Sequence, residues 1–340
     1  MLKGISPMTD DEKERRAAEI AAHLKERFGW TVREASAIDK GWLNVKWKMI
    51  TDQGPLFVKD YHPDRYKLNS RPERRSQIEK TLQLQQGLSG AGIPCPGVYA
   101  YKGRFIQETP SGLFYAVLDW VNGSSAQAGC IQTAQMYELG VAVGRMHRWL
   151  GAVPPLSKPA WLPDKDAYRK EWQSNWEQAK AAGDTVAQDW LRRSQAAVNA
   201  MDFRIFDSIQ PGWLHWDLWV DNILLHEQGV AGIVDFDRMT MAYQEIDVAR
   251  AILSGALQNG RLKTEIVRAF MDGYREHSDS PPGMLVRAMH MIYLIESIWW
   301  LRTEVRKESE LRGLLGRFVE EMHWIENHFA ALPDLLGSLE

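Results

Sequence analysis

The sequence contains very little cysteine, since only Cys95 and Cys130 occur among its 340 residues. Two cysteines cannot build a disulfide framework or a cysteine-based zinc site, so we expect a reducing, cytoplasmic location. The most apolar stretch near the C-terminus, residues 288–295, is far shorter than the ~20 residues that a membrane span requires. The first residues lack the apolar segment of a signal peptide. We therefore expect no association with a membrane.

The sequence also lacks a large excess of charge of either sign. It has 41 Lys and Arg against 44 Asp and Glu, a formal net charge of −3, which argues against a nucleic-acid partner. The motif G-x-x-x-x-G-K-[ST] is absent, which excludes a P-loop kinase. The absence of G-x-G-x-x-G and G-x-S-x-G likewise excludes a Rossmann dehydrogenase and a serine hydrolase of the α/β class.

The pattern of apolar residues predicts two lobes of different secondary structure, as the length also suggests. Residues 1–121 show a leading helix (10–28), three short strands typical of an antiparallel meander (30–38, 43–50, 55–61), a helix (72–88) and two further strands (98–107, 113–121). Residues 122–125, Asn-Gly-Ser-Ser, form the joint. Residues 122–340 are mostly helical, with helices predicted at 131–150, 166–180, 187–201, 245–256, 263–276, 284–305 and 311–329. The predicted fold class is α+β.

Four polar residues lie between short apolar runs in the second half of the chain: His215, Asp217, Asn222 and Asp235. The runs predict short strands, so a tight loop must present these side chains at a strand end. Phosphoryl transfer with a divalent cation needs a carboxylate to orient the acceptor hydroxyl and oxygen ligands for the metal. The order and spacing of the four residues match that requirement.

This region resembles the aminoglycoside/choline phosphotransferase family, small-molecule kinases with a protein-kinase-like two-lobe fold. Its loop motif H-x-D-x-x-x-x-N and its apolar-apolar-Asp motif both occur here. The resemblance implies that Asp217 is the catalytic base, that Asn222 and Asp235 bind Mg²⁺, and that ATP is the phosphoryl donor. It also implies that His215 and Asp247 support the catalytic loop. The fold implied is a lobe with a five-stranded antiparallel sheet plus helix, followed by a helical lobe.

The resemblance extends to the nucleotide-binding lobe. Lys59 ends the third predicted strand, where the family has the lysine that binds the α- and β-phosphates. A lysine there needs an acidic partner, since burial alone would depress its charge. We expect Glu79 to be that partner, with Glu73 as the alternative. Gly41 and Asn44 lie in a short loop that resembles the family's nucleotide-binding loop.

The segment 118–123 resembles the family's hinge, where backbone groups of Asp119 and Val121 would bind adenine. Two residues depart from the family pattern: Trp216 stands where a glycine is usual, and Trp219 where a histidine is frequent. Trp216 is expected to crowd the loop without changing the roles of Asp217 and Asn222. Trp219 is expected to border the acceptor site.

The acceptor itself is not fixed by the sequence. Trp219, Trp299, Trp300 and the acidic Glu296 are candidates for an acceptor pocket, because aromatic faces suit rings and ammonium groups. The alternative is that these tryptophans pack in the core. We favour an antibiotic acceptor of aminoglycoside, macrolide or nucleoside type. The alternatives are a metabolic acceptor such as choline, homoserine or a sugar, a non-catalytic scaffold like the spore-coat relatives, and a protein kinase. The sequence indicates no oligomeric state.

Overall fold

The chain, described by a computed structural model over residues 8–38, 45–155, 158–227, 229–308 and 311–339, divides into two compact units. The first unit comprises Met1–Gly123 together with Ala231–Asp237, and the second comprises Ser124–Val230 and Arg238–Glu340. The expected boundary followed residue 121. No feature of the sequence predicted that residues 231–237 would return to the first unit.

The first unit is built on an antiparallel sheet. Its elements are α1 (Asp10–Phe28), β1 (Val32–Ile38), β2 (Val45–Thr51), β3 (Gly54–Tyr61), α2 (Pro63–Tyr66), α3 (Pro72–Gly90), β4 (Val98–Tyr99), β5 (Gln107–Glu108) and β6 (Phe114–Asp119). The order within the described residues is β1-β2-β3-β6-β4, with β5 also on β6. The predicted meander is confirmed. The predicted strand 98–107 was wrong in extent, because a turn with positive φ at Lys102 and Gly103 divides it, giving six strands instead of five.

Helix α1 covers one face of this sheet. Thr9 caps its first turn by accepting from the Glu12 N–H at 3.2 Å, and Gly29 ends it at a φ of 76°. Its buried side chains, Ile20 and Leu24 among them, pack against a core formed by Trp47, Met49, Leu56, Val58, Tyr115 and Val117. Each such apolar side chain contributes about 1.5–3 kcal/mol when fully buried. This packing fixes the position of β2 and β3 against α1.

The second unit is mostly helical. Its elements, in chain order, are β7 (Ser124–Ser125), α4 (Thr133–Gly151), α5 (Lys165–Ala181), α6 (Thr185–Ala200), β8 (Gly212–Leu214), β9 (Ile223–His226), β10 (Gly229–Ile233, whose end enters the first unit), β11 (Thr240–Ala242), α7 (Glu245–Ala256), β12 (Leu257–Gln258), β13 (Arg261–Leu262), α8 (Thr264–Arg275), α9 (Met284–Trp300), α10 (Thr303–Lys307), α11 (Arg312–His328) and α12 (Leu332–Gly337). The helix predicted over 284–305 is broken after Trp300, since Arg302 is extended at the start of α10. No helix in the described part of the chain has both the length and the apolarity to cross a bilayer.

Two features of this unit position the loop between β8 and β9. Strand β8 pairs antiparallel with β11, and β9 pairs with β7, so both ends of the loop are fixed. Helices α4 and α8 cross closely behind it, because a Cβ at Gly140 would overlap the carbonyl oxygen of Phe270. A Cβ at Gly273 would overlap the carbonyl oxygen of Tyr137 in the same way. The crossing therefore needs glycine on both helices.

Candidate active site

Asp247, in the first turn of α7, holds the start of the loop that follows β8. Its fully buried carboxylate accepts hydrogen bonds from the backbone N–H of His215 at 2.7 Å and of Trp216 at 2.8 Å. The same carboxylate lies 3.2 Å from Nε2 of His147, whose Nδ1 lies 3.1 Å from the Tyr274 hydroxyl. Hydrogen bonds to a charged acceptor are stronger than neutral ones. One carboxylate thus fixes two successive peptide groups of the loop.

Asn222 closes the other end of the loop. Its Nδ2 group donates to the carbonyl oxygen of Asp217 at 2.8 Å and lies 3.4 Å from Asp217 Oδ2. Its backbone N–H donates to the Trp219 carbonyl at 2.9 Å, within a short 3₁₀ turn. The Asn222 side chain is buried, whereas 26% of the Asp217 side chain is exposed. The loop therefore presents a partly exposed carboxylate beside an amide that restrains it.

Trp216 and Asp235 both have backbones in the left-handed region, with φ of 71° and 63°. Glycine adopts that region freely and Asn and Asp tolerate it, whereas a bulky side chain such as that of Trp216 is an outlier there. The position of Trp216 in the loop is the one at which the sequence resemblance expected glycine. The backbone geometry supplies the physical reason for that preference.

Lys59, near the end of β3, is buried against two carboxylates of the segment that returns to the first unit. Its Nζ lies 3.3 Å from Asp235 Oδ1 and also contacts Asp237, which accepts from the Tyr66 hydroxyl at 3.2 Å. Burial alone would lower the pKa of Lys59, but the charge of Asp235 and then that of Asp237 more than offset it. The pKa is raised well above its usual value, so Lys59 is a permanent cation.

The expected pair between Lys59 and Glu79 is not formed, and this prediction was wrong. Both carboxylate oxygens of Glu79 accept from backbone N–H groups, those of Phe105 and Ile106, each at 3.0 Å. These bonds satisfy the carboxylate in the segment between β4 and β5. Glu73, the alternative, lies in the first turn of α3, and the acidic contacts of Lys59 come from Asp235 and Asp237.

Sequence reasoning missed two residues of this cluster, Lys46 and Asp237. Lys46 is the register partner of Lys59 across β2 and β3, and its Nζ lies 3.6 Å from Asp235 Oδ2. Directly opposed residues of an antiparallel pair lie on the same face, so both ammonium groups reach one carboxylate. Asp237 follows Asp235 by two residues, and this repeat of acidic residues was the available signal.

The predicted hinge lies at the end of β6. The Asp119 side chain accepts from the Gly97 N–H at 3.0 Å and from the Tyr99 hydroxyl at 2.7 Å, which ties this end of β6 to β4. Val121 packs close to Gly232 of the returning segment, where a Cβ would lie 3.0 Å from Val121 Cγ1. The predicted contacts of Gly41 and Asn44 fall outside the described residues.

The four predicted acceptor residues separate into two groups. Trp219 and Trp300 both contact Phe318, at ring-centroid distances of 5.5 and 4.3 Å. Trp299 is 44% exposed and contacts the guanidinium of Arg302. The structure brings together the first two and leaves Trp299 out. Sequence reasoning missed Phe318, which comes from α11 and had no local signal.

Glu296 cannot serve as the acidic receptor that we expected. Its buried carboxylate accepts hydrogen bonds from the guanidinium of Arg250 and from the indole N–H of Trp300. The charge of Glu296 is therefore already neutralised within the protein. Arg250, fully buried on α7, also feels the charge of Asp217, and its Nε has no hydrogen-bond partner within the described part of the chain.

Glu321 is a second buried carboxyl in the same cluster. Burial raises its pKa to about 7, and the positive charges of Arg317 and Arg250 only partly oppose this rise. Arg317 donates to Glu321 at 3.0 Å and to the carbonyl oxygen of Leu257 at 2.8 Å. The surroundings of Trp219 and Phe318 thus combine aromatic faces with a nearly balanced set of buried charges.

A comparison with known families decides the relationship of the chain. The profile of the phosphotransferase enzyme family (APH) matches residues 34–282. The chain belongs to this phosphotransferase family. The match includes both the lysine cluster of the first unit and the catalytic loop of the second, and the predicted family is confirmed.

Individual members of the phosphotransferase family and related kinases are only distantly similar. A homoserine kinase of Rhodospirillum rubrum is 22% identical over 209 residues, 60% of this chain and 59% of the relative. The chain therefore aligns with about three fifths of that curated relative's length.

Two solved structures show the fold. A choline kinase from Cryptosporidium parvum Iowa II has a TM-score of 0.61 at 12% identity, covering 95% of this chain and 98% of that one. An amicoumacin kinase in complex with AMP-PNP, Ca²⁺ and Ami has a TM-score of 0.59 at 14% identity, covering 93% and 96%. The predicted α+β, kinase-like fold is confirmed.

The donors available for a metal are oxygen atoms, as a member of this family would need. Asp235 supplies carboxylate oxygens, and Asn222, whose Nδ2 faces Asp217, has its amide oxygen at the other end of the group. Hard divalent cations prefer such ligands, so each of these two side chains offers a suitable type of donor atom. Among the residues described, no group of three or more His, Cys, Asp or Glu could hold a metal. Further ligands would have to come from phosphate or water.

Proposed function

We propose that the protein transfers a phosphoryl group from ATP to a hydroxyl group of a small molecule. The observation that carries this proposal is the partly exposed Asp217 carboxylate on a loop fixed by Asp247 and Asn222. A loose transition state for phosphoryl transfer leaves little covalent chemistry to the protein, so precise placement of the acceptor is the main requirement. Asp217 orients the acceptor hydroxyl and receives its proton.

In this proposal the nucleotide is bound by residues of the first unit. Lys59 neutralises charge on the phosphates, and its raised pKa keeps it protonated across the working pH range. Asn222 and Asp235 bind Mg²⁺, which supplies electrostatic stabilisation of the transferring phosphoryl group when bound. Backbone groups of Asp119 and Val121 bind the adenine. The amicoumacin kinase, with AMP-PNP and Ca²⁺, supports a nucleotide and a divalent cation for this fold.

For the acceptor we propose an antibiotic. Aminoglycoside, macrolide and nucleoside types all present rings to a protein, and Trp219 offers an aromatic face two residues after Asp217. The similarity to an amicoumacin kinase supports this class. Recognition of a cationic group by Glu296 is not part of the proposal, because Arg250 already occupies that carboxylate. A cytoplasmic location also remains a proposal, based on the low cysteine content.

Homoserine is the second candidate acceptor. The observation that favours it is the similarity to a homoserine kinase over 209 residues.

A coupled ATP-consumption assay tests the proposal. The purified protein is incubated with Mg-ATP and with kanamycin, erythromycin, a nucleoside antibiotic, choline or homoserine in turn. Asp217→Ala should lower kcat by about 10²- to 10⁴-fold with little change in the KM for ATP. Asp189→Ala, on an exposed side chain of α6, is the control and should match the wild type.

Two results would contradict the proposal. Turnover of Asp217→Ala at the wild-type rate would show that this carboxylate has no role in transfer. The second result is the absence of any thermal stabilisation by ATP, with either Mg²⁺ or EDTA, since a ligand that binds the folded state must raise its melting temperature. The scaffold alternative predicts this absence.

A further inference from the structure

The residue directly before Asp217 has an unfavourable backbone conformation. Trp216 has a φ of 71°, in the region where a bulky side chain meets steric resistance. Glycine would adopt this conformation freely, as Gly103 does in the turn between β4 and β5. The chain therefore carries an indole at a position where its backbone disfavours one.

The loop, and not the indole, sets this conformation. The backbone N–H groups of His215 and Trp216 both donate to the buried carboxylate of Asp247. Strand β8 fixes the chain immediately before them. These contacts involve only backbone atoms of residue 216, so they do not depend on the indole.

No ring contact or hydrogen bond of the indole within the described part of the chain accounts for it either. Other tryptophans nearby have clear structural contacts: Trp213 is 8% exposed, and Trp219 contacts Phe318 at 5.5 Å. Trp216 is partly buried, as Trp219 is, but within the described residues its indole makes neither an aromatic ring contact nor a hydrogen bond. Residues held in unfavourable backbone conformations are found mainly at functional sites, and this one directly precedes Asp217.

We propose that Trp216 is an acceptor-binding residue whose indole face stacks on the ring that carries the reacting hydroxyl. This inference rests on the proposed transfer at Asp217, which is the next residue. The C–H groups on the face of a saturated ring, or the edge of a heterocycle, are attracted to the electron-rich face of an indole. Trp216 consequently selects cyclic acceptors over acyclic zwitterions such as homoserine.

The test compares Trp216→Gly and Trp216→Phe with the wild type. For each protein, kcat and KM are measured for one cyclic acceptor (kanamycin) and one acyclic acceptor (homoserine), and Kd is measured by calorimetry with AMP-PNP and Mg²⁺. We expect Trp216→Gly to raise KM and Kd for the cyclic acceptor about 3- to 10-fold, with the KM for ATP within about 2-fold. Trp216→Phe should retain most of the affinity, because a ring face remains.

Lys102→Gly is the matched control. Lys102 also has a positive φ, of 49°, but lies in the turn between β4 and β5, so relief of backbone strain there should leave both acceptor constants unchanged. If Trp216→Gly does not fold, Trp216→Asn takes its place, since asparagine tolerates the left-handed region.

The outcomes separate this inference from the proposed function. Unchanged KM and Kd for the cyclic acceptor in Trp216→Gly would overturn the inference and leave the kinase proposal intact. A wild type that binds and phosphorylates homoserine alone would have the same consequence. A wild type that binds the cyclic acceptor through Trp216 without phosphorylating any acceptor would instead refute the proposed function.

Discussion

Replacement of Asp247 should weaken both the fold and catalysis, because one buried carboxylate satisfies two backbone N–H groups of the catalytic loop. In Asp247→Ala both donors lose their acceptor in a buried position. Each unsatisfied buried donor costs about 1–3 kcal/mol, so the free energy of unfolding should fall by about 2–6 kcal/mol. The total free energy of unfolding of a typical domain is only about 5–15 kcal/mol, so the loss is severe.

The free energy of unfolding of Asp247→Asn should lie between those of the wild type and Asp247→Ala. Its single amide oxygen can accept from one N–H group, while its NH₂ group faces the other donor. Both variants should also lower kcat, because displacement of the loop by about 1 Å can reduce the rate about 100-fold. Urea unfolding curves and kcat measure the two effects. Asp189→Ala, on an exposed side chain, should change stability by less than about 0.5 kcal/mol. An unchanged unfolding midpoint in Asp247→Ala would refute the reasoning.

Three further predictions concern other parts of the chain. His290 is buried, and burial lowers its pKa to about 4. The folded state then binds fewer protons than the unfolded one, so stability falls as the pH drops below 6.5. The wild type should lose about 2 kcal/mol more than His290→Leu between pH 8 and pH 5 in urea unfolding. Gly140→Ala should destabilise by at least about 1–3 kcal/mol, because its Cβ meets backbone of α8, whereas Gly151→Ala enters open space and should not; thermal melting compares them. Lys46→Met should raise the KM for ATP several-fold and leave the acceptor KM unchanged in steady-state assays.

The catalytic loop was the most predictable part of the site. Asp217 and Asn222 belong to one tight turn between two short strands, so their spacing along the chain determines their spacing in the fold. The same holds for the meander of β1 to β3, where alternating residues and turn signals are local. The break in the strand predicted over 98–107 also had a local signal, since Lys102-Gly103 is a typical turn pair.

The errors came from partners that are distant in sequence. Glu79 was chosen for Lys59 because it lies on the next helix, but the actual counter-ions come from Asp235 and Asp237. A single sequence carries no information on which acidic side chain a long-range fold will bring to a lysine. The expectation that Glu296 receives a cationic acceptor was wrong for the same reason, because its partner Arg250 lies on another helix.

The ion pair between Lys59 and Asp235 joins residues 176 positions apart. During synthesis on the ribosome, β3 emerges long before the segment Ala231–Asp237 that supplies its counter-ions. A nascent chain that ends before that segment would have to bury the ammonium group without a carboxylate, at a large energetic penalty. The sheet of the first unit should therefore reach its final, protected form only after the segment Ala231–Asp237 has been translated, long after its own strands have emerged.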